Sequence, residues 1–490
     1  MTEIESFGVI VGAVAAVGLV AVLSSRLTER LRIPAPAIFL VGAAVASDVW
    51  PSLARTSIVT VERVVTVALV VILFDGGMHV GWRRLRSVAG ATVWLGVIGT
   101  LATTAAVAGL AHIVFGLGWR TALLLGTAIA PTDPAVVFAV LGRREIVGRS
   151  GVLLEGESGA NDPVGIALLV SLLAAGSATG GAVVGRVVAE FAVQMVVGGA
   201  VGLLGGVGLL VLMRRVPLPS GPLYPLRVLT GAFAVYGVAT ALHGSGFLAV
   251  FVAGIALGDV RAPYKREIER FHSSLASLAE IVAFVLLGLT IELRGLTSQH
   301  GLWLGLAIAV LLAFVVRPVV VGLLLIPVRL TRGERLLVMW SGLKGAVPIL
   351  LGVFILADRG PDATRLYRLI FVVVAFSVFV QGGLLPLVAR RSGVSFRAVE
   401  PEPWSLGVRL RQEPEGVRRF VVAAGSPAAG SAIGDLPLGE GAWISLATRD
   451  GRLLAPNADT ELRAGDEVLI LVAPADEADL DAIFSGPSER

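Results

Sequence analysis

The sequence predicts an all-α polytopic membrane protein followed by a small cytoplasmic α/β domain. Three observations predict it. The 490 residues are 55% hydrophobic and only 16% charged, with a mean hydropathy of +0.85, unlike the composition of soluble domains. Apolar stretches long enough to cross a bilayer recur about thirteen times. Basic residues collect in every second connection between them, which is the signature of membrane topology.

The apolar stretches fall at about 6–24, 34–48, 58–78, 88–114, 120–141, 151–175, 187–212, 226–243, 245–259, 277–292, 301–326, 335–357 and 366–389. The first follows Glu3 and Glu5 and has no clear cleavage site, so it reads as a transmembrane helix and not as a signal peptide. Connections after odd-numbered stretches hold Arg26, Arg30 and Arg32, then Arg83, Arg84 and Arg86, then Arg143, Arg144 and Arg149. The same series continues with Arg214 and Arg215, with Arg261, Lys265, Arg266 and Arg270, and with Arg329, Arg332 and Arg335. The intervening connections are poorer, with residues such as Arg55, Arg120, Arg186 and Arg294. The bias puts the N-terminus outside and the C-terminus inside, in a multi-pass protein of the cell inner membrane.

Composition also excludes function classes. There is no cysteine, hence no disulfide, thiolate metal site or cysteine nucleophile. The five histidines (His79, His112, His243, His272 and His300) are scattered, with no HExxH motif. His79, His272 and His300 fall in loops, and His112 and His243 near the outer ends of spans. No resident metal or cofactor is expected, and no enzyme activity. The net charge of +4 resides in loop arginines and marks membrane orientation, not nucleic-acid binding. The 60 glycines suit close helix–helix contact.

Past Arg391 the composition changes. Residues 392–416 are polar and proline-containing, a linker. Residues 417–476 carry the strand-like runs VRRFVVAAG, AWISLATRDG and DEVLILVAP between turn signals. Residues 477–490 are acidic and then polar, a flexible end.

Chemistry is concentrated where charges interrupt the apolar spans. The sixth span reads GVLLEGESGANDPVGIALLVSLLAA and contains Glu157, Asn161 and Asp162. A charge at bilayer depth costs about 2.5–3.5 kcal/mol on insertion scales, so each acid implies a partner, a watery cavity or a task. Pro163 supplies no N–H and disturbs the carbonyl of Gly159, which makes a seat for a small hard cation or for a proton. The fifth span holds Pro131-Thr132-Asp133-Pro134, and the twelfth holds Lys344 in SGLKGAVP with Pro348 disturbing its carbonyl. Both interruptions break helical hydrogen bonding near mid-membrane, tolerated only where protein or a cavity covers the backbone. They lie at mirrored places about a midpoint near residue 230, as in inverted-repeat transporters with two crossed broken helices. Asp133 and Lys344 then neutralise opposite dipole ends. Arg317, in the eleventh span, is the natural partner of Glu157. Asp162 is left without a dedicated cation and is the exchangeable site. Asp75, near the cytoplasmic end of the third span, reads as a solvated or capping residue with an accessory role in reserve.

Bland readings exist for each motif. TDP or NDP alone is weak and in a soluble loop marks a cap or turn. Glu157–Arg317 is structural before it is transporting, and Lys344 compensates dipoles before it transports. A gated cation channel or uniporter could use the same acids, but there is no TVGYG-type filter, and a channel needs no mirrored pair of broken helices.

GESGANDP, TDPAVVFAVL, VVRPV and SGLKGAVPI together resemble the NhaP-type cation:proton antiporter-1 family over about residues 5–390. The resemblance implies an NhaA-like fold, a homodimer in membrane lipid, and exchange of a monovalent cation, K⁺ or Na⁺, for a proton. It implies a binding aspartate at Asp162, with Asn161, Thr132, Asp133 and Ser158 around it, and a Glu157–Arg317 pair. The Asn-Asp form implies electroneutral exchange. Lys344 departs from the arginine of many members. The stretch DLPLGEGAWISLATRDGRLLAPNADTELRAGDEVLIL resembles the TrkA-C half of RCK regulatory domains. No GxGxxG unit accompanies it, so its ligand, a nucleotide or another small molecule, is open. The combination favours K⁺ over Na⁺.

Overall fold

The computed structural model describes residues 35–50, 57–141, 144–146, 149–176, 181–260, 262–296, 301–394, 396–398, 417–438, 442–449, 452–472 and 477–484. The first predicted span, Arg26, Arg30, Arg32, Arg55, Arg143, Arg261, His300 and residues 399–416 lie outside them. The chain divides into two compact units, Met1–Glu400 and Pro401–Arg490.

The first unit is helical. In order come α1 (Ala35–Val49), α2 (Ile58–Val80), α3 (Ala89–Phe115), α4 (Trp119–Ile129), α5 (Pro134–Leu141), a short strand β1 (Arg144–Ile146) and α6 (Arg149–Ala174). There follow α7 (Gly181–Arg215), α8 (Leu223–Ala241), α9 (Gly246–Gly258), α10 (Lys265–Leu289) and α11 (Gly301–Leu324). Then come α12 (Arg332–Trp340), α13 (Ala346–Ala357), α14 (Ala363–Ser392) and β2 (Phe396–Ala398). Among the described residues five helices are both long and apolar enough to cross a membrane by themselves: α3, the 183–215 part of α7, α10, α11 and α14.

Local chemistry sets the helix ends. Ser57 caps α2 by accepting the Thr60 N–H at 3.1 Å, and Gly81, at φ 59°, ends it. Thr331 and Glu334 form a capping box at the start of α12. Glycine sets the helix spacing: a Cβ at Gly254 of α9 would strike the Phe74 carbonyl of α2.

Two predicted spans are each two helices. The fifth breaks at 130–133, between α4 and α5, and the twelfth at 341–345, between α12 and α13. Prolines act differently from the sequence expectation. Pro134 and Pro348 lie in the first turns of α5 and α13, where a missing N–H costs nothing. Helix α6 runs on through Pro163 without a break.

The tenth span begins earlier than its hydropathy, at Lys265, so His272 is not in a loop: it is buried in α10, with Nδ1 on the Ile268 carbonyl at 2.8 Å. His79 likewise ends α2. Residues 396–398, expected in the linker, form β2, which pairs antiparallel with β1.

The second unit is a four-stranded antiparallel sheet of order β3-β6-β4-β5, built from β3 (Val417–Val421), β4 (Ala442–Arg449), β5 (Arg452–Leu454) and β6 (Glu467–Val472). Helix α15 (Glu477–Phe484) occupies part of the segment expected to be flexible. Leu480, Ile483 and Phe484, at helical spacing, are buried against the sheet, with Phe484 stacked on Phe420 at 5.2 Å between centroids.

Candidate functional site

The two helix breaks hold each other. The Asp133 N–H, which has no helical acceptor, donates to the Leu343 carbonyl at 2.8 Å. In return the Lys344 ammonium, 2% exposed, donates to the carbonyls of Ala130 and Pro131, both at 2.9 Å. These carbonyls extend the C-terminal end of α4, the negative end of its dipole, so a cation fits there. The carboxylate of Asp133 lies against Gly345 at the positive N-terminal end of α13, where a Cβ would occupy the same space. The residues expected at the dipole ends are therefore brought together crosswise, each charge serving the other segment. The Lys344 N–H donates to Ser377 Oγ at 3.0 Å, and Ser377 donates to Gln381 Oε1 at 3.0 Å. Both come from a π-helical turn of α14, Ser377–Gln381. A cavity about the size of one water lies beside Lys344, Arg317 and Gln381.

Helix α6 packs against the first break. The Ser158 hydroxyl donates to the Thr132 carbonyl. Asn161 closes a two-point bridge: its Nδ2 donates to Thr132 Oγ1 at 2.8 Å, and the Thr132 N–H donates to its Oδ1 at 3.3 Å. Thr132, Ser158 and Asn161 are all buried. Asp162, the next residue, makes no hydrogen bond or ion pair with any described residue. Its Oδ1 is shut off without a partner, although the residue as a whole keeps some accessible surface.

Glu157 does have its partner. Arg317 Nη2 meets Glu157 Oε1 at 3.0 Å, and its guanidinium also donates to the carbonyls of Met339 and Val338 at 3.2 and 3.4 Å. Both side chains are about 5% exposed. A π-helical turn, Leu312–Val316, precedes Arg317, and Gly342 leaves room for the guanidinium. The remaining Glu157 oxygen, Oε2, is buried without a partner.

A family model described as "sodium/hydrogen exchanger, transmembrane" matches residues 15–391. The chain belongs to the sodium/hydrogen exchanger family. A TrkA-C domain model matches residues 417–485. A K(+)/H(+) antiporter NhaP of Alkalimonas amylolytica is 31% identical over 95% of this chain and 82% of its own length. A K(+)/H(+) antiporter NhaP2 of a Shewanella strain is 32% identical over 99% of this chain and 84% of its own. A Na(+)/H(+) antiporter NhaP of Pseudomonas aeruginosa is 31% identical but covers 67% of this chain. The solved structure of the sodium proton antiporter MjNhaP1 from Methanocaldococcus jannaschii is similar in fold, with a TM-score of 0.66 at 24% identity, over 78% of this chain and 99% of that one. This exchanger is accordingly an integral membrane protein.

Other predicted residues of the exchanger lie apart. Asp75 of α2 accepts from Ser273 Oγ at 3.1 Å and pairs with His79 at 3.4 Å, so its partners come from the ends of α2 and α10. Sequence reading missed three participants. Ser377 and Gln381 are uncharged in an apolar helix, and nothing in their spacing points to Lys344. Glu280, in the middle of α10, lies within electrostatic reach of Asp133. Its only sequence signal was a lone acid inside an apolar span, with no cation or motif beside it.

Ser158, Thr132 and Asn161, joined to one another beside Asp162 in the sequence and at the break, bring hydroxyl, amide and carbonyl oxygens to this part of the exchanger. Hard cations prefer such ligands. Among the described residues no group of three acids or histidines could hold a resident metal.

Proposed function

We propose that the exchanger is a secondary-active antiporter of a monovalent cation and a proton, with Asp162 carrying either one. The carrying observation is the contrast around Asp162: Glu157 is engaged by Arg317, Lys344 by two carbonyls, and Thr132 and Asn161 by each other, while Asp162 Oδ1 has no partner. Removing a carboxylate from water is tolerable when it is protonated or holds a cation. The loaded states are thus the ones that can cross between the two faces, which couples the two fluxes. Competition for one acid makes exchange self-limiting in pH without a separate sensor. One positive charge replaces one positive charge, so exchange is electroneutral.

The cation is K⁺ in preference to Na⁺. What supports this is extent: the relatives described as K(+)/H(+) antiporters match 95–99% of the chain, TrkA-C segment included, whereas the one described as a Na(+)/H(+) antiporter matches 67%. Thirteen crossings, inverted repeats about the two breaks and a homodimer in the inner membrane complete the reading. The N-terminus is outside, and the C-terminal domain is cytoplasmic and regulatory. Its ligand is a nucleotide or another small molecule. No cofactor and no nucleic acid takes part.

The test is cation-driven ΔpH change in proteoliposomes, with K⁺, Na⁺ and Li⁺ compared across pH. Exchange retained by Asp162→Asn defeats the assignment. Cation flux without proton movement defeats antiport itself and indicates a channel or uniporter.

A further inference from the structure

The strand pair β1–β2 ties together two parts of the chain that are far apart in sequence. β1 lies in the connection between α5, which follows Thr132-Asp133, and α6, which carries Asn161-Asp162. β2 lies just past α14, and only residues 399–416 separate it from the first strand of the TrkA-C unit. The register is Arg144 with Ala398, Glu145 with Arg397, and Ile146 with Phe396.

A two-stranded ribbon in water is marginally stable. This one is held at the end where Ile146 faces Phe396. Ile146 is buried, and Phe396 and Val394 pack against the core of the helical unit. The Ile146 carbonyl lies so close to Gly151 that a Cβ there would overlap it, which seats β1 on the first turn of α6. Gly393, at φ 66°, ends α14 and turns the chain toward β2.

We propose that the β1–β2 ladder is the link through which the TrkA-C domain biases the cation site. The inference rests on the regulatory reading of that domain. A displacement of β2 along its strand must either break the ladder or carry β1 with it. β1 is one short connection from both helices whose separation is set by the Thr132–Asn161 bridge. A shift of α5 against α6 lengthens that bridge and alters the oxygen set offered beside Asp162.

Six proteins test it by cation-driven ΔpH in proteoliposomes: the full chain, the chain lacking 417–490, and both again with each of two substitutions that break the ladder. Arg397→Pro and Ala398→Pro break it, each tried alone. Successive antiparallel positions alternate between hydrogen-bonded and non-hydrogen-bonded pairs, so one of the two prolines removes a ladder N–H. With the ladder intact, deletion is expected to shift the half-maximal cation concentration by about five-fold or more, the low end of allosteric coupling. With the ladder broken, the full chain is expected to behave already like the deletion, and deleting 417–490 is expected to add nothing further. A full shift that persists in both proline variants overturns the ladder as the link. No shift in the intact protein overturns the regulatory reading, and the inference with it. A second measurement does not depend on the proline variants folding. The chain has no cysteine, and facing antiparallel residues are within disulfide range. Glu145→Cys with Arg397→Cys, or Arg144→Cys with Ala398→Cys, is expected to cross-link on oxidation in membranes and to keep the effect of deletion. No cross-link from either pair shows that the strands do not meet there, and overturns the proposal.

Discussion

Glu157 and Asp162 lie on the same helix, five positions apart, and meet different surroundings. Glu157 faces Arg317, which reaches in from α11 and fixes one carboxylate oxygen at 3.0 Å. Asp162 faces the break between α4 and α5, where Ser158, Thr132, Asn161 and Lys344 are bonded to other groups. The same chemical group is held by an arginine in one place and has an oxygen without a hydrogen-bond partner in the other. What separates them is the arginine that reaches Glu157, which is also the more buried of the two. In the proposed exchange, a donor fixed beside Asp162 would hold it as Arg317 holds Glu157 and leave nothing to exchange.

Three changes break or sharpen that contrast. The largest effect belongs to Asp162→Asn: an amide holds neither proton nor cation in competition, and exchange in proteoliposomes is expected to be lost while the protein still inserts and purifies. Next, Arg317→Ala leaves Glu157 buried and uncompensated. Stability is expected to fall by about 3–5 kcal/mol, as when one partner of a buried ion pair is removed. Thermal unfolding in detergent checks this, and Glu157→Gln in the same protein should recover part of the loss. Third, Gly345→Ala pushes a methyl into the space of the Asp133 carboxylate. The cost is expected to be about 1–3 kcal/mol, typical of overpacking, with exchange reduced and not abolished. Gly90→Ala, where no atom lies near the added carbon, is the control.

A fourth change, on the same scale as the third, lies in the TrkA-C unit. Asp466 is clamped by Arg449 through two hydrogen bonds of 2.8 and 2.7 Å and accepts the Arg463 N–H at 2.8 Å. The Arg449 guanidinium holds its carboxyl below the usual value of 3.8. Its contribution is thus fully present above that value and is lost as pH falls through the lower value of the folded protein. Asp466→Asn is expected to cost about 1.5–3 kcal/mol near neutral pH, the worth of hydrogen bonds to a charged group. The deficit should shrink below pH 4, read as amide hydrogen exchange of β4 and β6 in the full chain.

Much of this was legible in the sequence. Each predicted span that falls among the described residues meets helix, and the two proline-rich interruptions are where helices break. Glu157 and Arg317 were paired from the rule that neither is buried alone. Legibility ended where a residue's role depends on a distant partner. Glu280 was passed over because no cation or motif stood near it. Ser377 and Gln381 carry no charge in an apolar helix. β1 and β2 are three residues each, too short for any alternation to register. The 477–490 end was read as flexible from its charge, but Leu480, Ile483 and Phe484 were apolar at helical spacing all along.

The sequence alone determined the membrane architecture, the places where helices break and the short set of acids that chemistry must account for. Those follow from local rules: apolar length against bilayer thickness, proline and glycine against helical hydrogen bonding, and the cost of charge in hydrocarbon. Only the tertiary structure decided which carbonyls hold Lys344, how Asn161 bridges to Thr132, and that the segment before the TrkA-C unit is laced to the connection between α5 and α6. Those outcomes rest on hydrogen bonds between groups up to some two hundred residues apart, such as Lys344 on Ala130, and no local pattern encodes who will stand opposite whom.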